Sequence, residues 1–121
     1  MKIKDNDINQ WPDSWEGVKE DIPYGQKLIE IFLPFIKDMK SKKLSPKTIN
    51  EHIDNLWILG GNIIGQLNYY EEKKQVEPLE MVKGCIDSGD GPLIQYFSEY
   101  QQDRFDATCR KLHRYLSSRK D

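Results

Sequence analysis

Histidine and cysteine are scarce in this 121-residue chain, with two of each. His52 and His113 are too few for a multi-histidine metal site within one chain. Cys85 and Cys109 lie far apart and have no CxxC spacing, so they suggest neither a metal clamp nor a dithiol redox centre. We read them as reduced, buried, small apolar side chains of a cytoplasmic protein. No apolar run approaches the ~20 residues that a membrane span needs. The opening "MKIKDNDINQWPDSW" has charge but no apolar h-region, so no secretion signal is expected. A glycine-rich phosphate loop is also missing. "ILGGNIIG" lacks the lysine and hydroxyl of a P-loop and sits within a helical pattern. "DSGDG" lacks the alternating oxygen ligands and terminal glutamate of an EF-hand loop. The paired acids Glu71/Glu72 and Glu77/Glu80 lie in charged, solvated segments. His113 stands four residues after Cys109, the spacing of a base beside a thiol. With Leu112 and Leu116 as neighbours, however, the pair fits a core edge better. No catalytic residue, metal or cofactor is therefore expected.

What is present is helical pattern. Residues 1–22 are polar and punctuated by Trp11, Pro12 and Trp15, which predicts an irregular N-terminal arm. Its two indoles are expected to dock on a helical domain spanning 23–121, with an exposed pair serving as a partner anchor as the alternative. Tyr24, Leu28, Ile31, Phe32, Phe35, Ile36 and Met39 recur at helical spacing and predict a helix over 24–42, kinked or broken at Pro34. Ser45 is a good N-cap, and Pro46 fits the first helical position. A second stripe follows: Ile49, Ile53, Leu56, Trp57, Gly60, Ile63, Ile64 and Leu67. Gly60 lies on that stripe, which suggests close approach of another helix, and the Gly60–Gly61 pair suggests a bend. Glu77–Pro78 can open a short helix through Ile86, and "DSGDGP" is a loop. "LIQYF" at 93–97 reads as a helical turn or an extended plug into the core. Ser98 and Gln101 form a capping box that starts a last helix with the stripe Phe105, Cys109, Leu112 and Leu116. The expected fold is an all-α single domain, a bundle of four or five helices.

Net charge is −2, but its distribution is uneven. Residues 37–47 carry five lysines against Asp38, and residues 104–121 carry six bases against two acids. The stretch between, 48–103, has three lysines against ten acids. Two basic zones thus flank an acidic middle. Lys47 lies in the first turn of the second helix, whose free N–H groups and dipole favour a phosphate. Lys42 and Lys43 precede it, and the Ser45 and Thr48 hydroxyls can donate. The competing reading is a well-capped helix with solubilising lysines.

"LSPKTINEHIDNLWILGGNII", preceded by "YGQKLIEIFLPFIKDMKSKK", resembles the N-terminal SAM-like, or core-binding, domain of phage integrases and other tyrosine recombinases. The resemblance covers about residues 24–67, and its matching positions are Leu44, Ser45, Lys47, Thr48, Ile49 and, less closely, Leu56. It implies a small helical bundle that clasps DNA, with contact by Lys42, Lys43, Lys47 and Thr48. The catalytic domain of that family carries a His-x-x-Arg box and a nucleophilic tyrosine. "HRYL" at 113–116 is not that box, so Tyr115 inherits no role. "FDATCRKLHRYL" is similar to segments of small bacterial proteins and implies no activity. The expectation is a non-catalytic DNA-associated module of a bacterium or mobile element. Lys42, Lys43, Lys47 and Thr48 would meet phosphates, and Arg110, Lys111 and Arg114 would add potential if they share that face. The rival is a protein–protein module, a homodimer included, that uses the Trp11/Trp15 arm or a leftover helix stripe.

Overall fold

The computed structural model describes residues 5–118; Arg119, Lys120 and Asp121, which contribute to the second basic zone, lie outside them. Among the described residues there are five α-helices and no strand, as an all-α reading requires. They are α1 (Trp11–Trp15), α2 (Asp21–Ser41), α3 (Pro46–Tyr69), α4 (Pro78–Ile86) and α5 (Glu99–Ser118). Short 3-10 segments occupy Asp5–Gln10 and Glu71–Gln75. No helix among the described residues is long and apolar enough to cross a membrane.

Helices α2 and α3 form a hairpin around a short turn. Ser45 caps α3 as its sequence predicts, its Oγ accepting from the Thr48 N–H at 3.1 Å, with Pro46 in the first turn. The two apolar stripes meet, burying Leu28, Phe32, Phe35, Ile36 and Met39 against Ile53, Leu56, Ile63, Ile64 and Leu67. Each such side chain contributes on the order of 1.5–3 kcal/mol. Helix α4 packs on α2 and α5, and α5 on α3, closing one core through Val82, Ile86, Phe105 and Leu112. Helix α2 runs unbroken through Pro34, so of the two expected outcomes, a kink or a break, the break does not occur. Pro34 is only half-buried, and the flanking Phe32, Phe35 and Ile36 are fully packed. Packing of this kind can hold a helix across one missing hydrogen bond.

The arm is built of short turns, and its indoles do dock. Trp11 and Trp15 are buried, which removes them as an exposed partner anchor. Trp15 lies on α3 and donates from Nε1 to the Trp57 carbonyl at 3.0 Å; Trp57 Nε1 donates in return to Ser14 Oγ at 2.9 Å. A Cβ on Gly60 would stand 2.3 Å from the Trp15 ring, and one on Gly61 3.3 Å. The helix that approaches here is therefore the short α1 of the arm, through the indole at its end. Helix α3 continues unbroken through both glycines.

The arm's other end is fixed by Asp21, which is buried. Its carboxylate accepts from the N–H groups of Gly17 (2.7 Å) and Val18 (3.0 Å) and from Asn68 Nδ2 (2.9 Å). Burial works against the charged form, but these hydrogen bonds outweigh it and hold the carboxyl below its ordinary value. Tyr24 ties the 70–77 segment to α2 by donating to the Val76 carbonyl at 2.9 Å. Burial pushes its phenol up to about 12.

Candidate nucleic-acid interface

Two grooves open along α5, one lined from the end of α2 and the other from the start of α3. One, of about 350 Å³, is lined by Phe35, Asp38, Met39 and Lys42 from α2 and the turn, and by Lys111, Arg114, Tyr115 and Ser118 from α5. One lysine of the first basic zone, Lys42, and two bases of the second, Lys111 and Arg114, therefore meet in one concavity. Lys42 Nζ lies 3.1 Å from Asp38 Oδ2, an i,i+4 pair with the lysine side chain mostly in solvent. Such exposed pairs are worth little, so the lysine remains available to exchange partners. Three cations face one carboxylate in this groove. Two helix C-termini also end there, and their dipoles offset part of that charge.

The second groove is lined by Lys47, Thr48, Glu51, Asp54, Tyr100 and Arg104. Its two bases face two acids. Arg104 and Glu51 form a two-pronged ion pair, with Nε on Oε2 at 3.2 Å and Nη2 on Oε1, and this pairing holds the Glu51 carboxyl below its ordinary value. Thr48 Oγ1 accepts from Ser45 Oγ at 3.0 Å. Lys47 and Thr48, the positions that match the recombinase motif, thus line a groove of balanced charge. Lys43 is exposed on the turn between α2 and α3. Arg110 points elsewhere, donating to Asp90 of the 87–92 loop at 2.8 Å.

Between the grooves, α3 and α5 share a polar contact. His52 Nδ1 and Asn55 Nδ2 meet Thr108 Oγ1 at 2.7 and 2.9 Å. Burial, followed by the charge of Lys111, holds the His52 imidazole below its ordinary value. This contact escaped the sequence reading, as did the pairing of Arg104, counted there only as one base of the second zone. Their only signal is that Arg104, Thr108 and Lys111 follow one another at 4 and 3 along the α5 sequence.

Neither cysteine is placed for chemistry. Cys109 is buried, and burial pushes its thiol up to about 12, which leaves negligible thiolate near neutral pH. Cys85 is only half-buried, less enclosed than expected. Among the described residues no group of three or more His, Cys, Asp or Glu side chains could hold a metal ion. No protein-family model, curated protein or solved structure matches the chain.

Proposed function

We propose that this chain is a non-catalytic helical module that contacts the phosphate backbone of duplex DNA, in the cytoplasm of a bacterium or in the setting of a mobile element. The observation that carries the reading is the meeting of Lys42, Lys111 and Arg114 around one groove, with Lys43 exposed beside it. Clustered cations on one face can release counterions from DNA without reading its sequence. The resemblance of residues 24–67 to the recombinase core-binding domain supports the choice of duplex DNA, and the bacterial or mobile-element setting rests on that resemblance alone. In this reading the interface is narrower than the two basic zones: Arg110 takes no part, and Lys47 and Thr48 act at its edge.

The test is a titration of labelled mixed-sequence duplex DNA, followed by fluorescence anisotropy at low salt and at about 150 mM. Binding is expected at low salt and should weaken steeply with added salt. The triple variant Lys42→Gln, Lys111→Gln, Arg114→Gln should bind weakly at every salt concentration. Its log–log salt slope should be shallower by about 0.9 for each phosphate that the variant no longer neutralises. Arg110→Gln should bind as the parent does. No binding at low salt, or a triple variant as tight as the parent, removes the proposal.

A further inference from the structure

A second surface, away from the basic groove, has the opposite chemistry. Leu93, Tyr96 and Tyr100 are 87%, 93% and 70% exposed; the first two lie on the short stretch that leads into α5 and Tyr100 in its first turn. Apolar side chains this exposed usually sit on loose loops, but this loop is clamped. The Gln102 side chain accepts from the Ile94 N–H at 3.0 Å and donates to the Pro92 carbonyl at 3.1 Å. Asp106 Oδ1 accepts from the Gly91 N–H at 3.1 Å and from Gln102 Nε2 at 3.0 Å. Ser98 and Gln101 close the end of the loop with a reciprocal capping box at 3.0 and 3.1 Å. Ile94 and Phe97 pack toward the core, so the turn between them drives its other side chains outward.

Tyr96 takes up that turn with φ of +71°. This is left-handed backbone, which a bulky side chain adopts only against strain and which glycine or asparagine would accept more readily. A tyrosine held there, ring in solvent, by a hydrogen-bonded loop is a pre-organised aromatic anchor. Anchors of this type carry most of the affinity in protein interfaces, because little ordering remains to be done on binding.

Charge selects the occupant. From Leu93 to Asp103 the chain carries Glu99 and Asp103 and no lysine or arginine. Of the bases nearby, Arg104 is paired with Glu51 and Arg110 with Asp90, and Lys47, in the groove that Tyr100 lines, faces Glu51 and Asp54 there. Acids thus outnumber bases around the surface, which disfavours a polyanion. A cationic partner gains twice, from the acids and from the negative faces of the tyrosine rings.

We propose that the Leu93–Tyr96–Tyr100 surface docks a protein partner through a segment that carries an aliphatic or aromatic residue flanked by lysine or arginine. This proposal does not rest on the DNA-contact reading, although Tyr100 lines the groove that holds Lys47 and Thr48 at the edge of that interface. Tyr100 and Arg114 stand roughly 20 Å apart along α5 at 1.5 Å per residue, so one chain could hold both partners.

The probe is a randomised peptide library displayed on phage and selected against the whole chain. Enriched peptides are then synthesised and their binding measured by anisotropy. Enrichment of basic residues beside an aliphatic or aromatic one is expected. Tyr96→Gly and Leu93→Ser should each weaken binding at least tenfold. Tyr96→Gly should do so with the thermal midpoint unchanged or higher, which a purely structural role for the ring would not allow. Absence of enrichment, selection of acidic peptides, or binding indifferent to both substitutions overturns the proposal. So does self-association abolished by Tyr96→Gly, which would make a second copy the occupant. Loss of duplex DNA binding in Tyr96→Gly alone would likewise overturn it and assign the surface to nucleic acid.

Discussion

The arm, whose short α1 carries Trp11 and Trp15, and the loop that carries Leu93 and Tyr96 both lie outside the long helices, and they treat their large side chains in opposite ways. The arm inserts its indoles into the core; the loop holds its backbone with polar side chains and leaves its tyrosine in water. The difference lies in what faces each segment. Opposite the arm, α3 presents Gly60 and Gly61, a flat strip on which an indole fits and from which the Trp57 carbonyl can be reached. Opposite the loop, α5 presents Gln102 and Asp106, which bind backbone. An aromatic residue in a loop is therefore an ambiguous sign on its own. The receiving helix decides whether it is core or surface.

The comparison breaks most severely if Trp15 is truncated. Trp15→Ala leaves a cavity over two glycines and should cost about 3–5 kcal/mol in urea unfolding. Gly60→Ala attacks the same contact from the other side. The better helix propensity of alanine is worth about 1 kcal/mol, but its Cβ meets the indole far inside contact distance. A net loss of about 1–3 kcal/mol should follow, as for other overpacked cores. Gly65→Ala sharpens the point within the same helix. Nothing lies within 4 Å of its Cβ position, so the substitution should stabilise by up to ~1 kcal/mol. A loss there instead would mean that propensity alone does not govern the exposed face of α3. On the loop, Tyr96→Gly relieves left-handed strain but adds freedom to the unfolded chain, so stability should shift by no more than roughly 0.5 kcal/mol. A drop as large as that of Trp15→Ala would show that the two regions are alike after all.

The smallest effects are in the acid response. His52 is held below its ordinary value, so the unfolded chain binds a proton first as pH falls through about 6.5. Stability is full above that value and declines toward the folded pKa. Asp21, also depressed, keeps its contribution until pH falls below about 4 and then loses it. Urea unfolding between about pH 7.5 and 3 should therefore show two successive losses. His52→Gln should remove the upper one, and Asp21→Asn should shrink the lower, to which the depressed Glu51 also contributes. A profile flat between about pH 7 and 5 would mean that the imidazole is not held neutral.

Helices were the legible part of the sequence. The stripes of α2, α3 and α5, the Ser45 cap and the Ser98–Gln101 box are local, periodic signals, and each is a feature of the structure. Gly60 was legible as a close approach but not as an indole seat, because its partner lies 45 residues upstream at Trp15. "LIQYF" misled more. As a run it reads as a helical turn or a plug, yet only Ile94 and Phe97 turn inward; the turn that separates them from Leu93 and Tyr96 depends on Gln102 and Asp106, which periodicity does not mark. For the basic residues, sequence counted charge without pairing. It could not show that Arg110 is held by Asp90, nor that Lys42 and Lys111 meet while Lys47 faces Glu51.

The chain has three tryptophans, and all of them lie where the arm crosses α3. Ultraviolet emission excited near the red edge of indole absorption thus reports on that seam and is blind to α4 and α5. Lifting the arm should move the spectrum toward that of indole in water while helical circular dichroism stays nearly constant, an optical gauge of the seam that needs no dye.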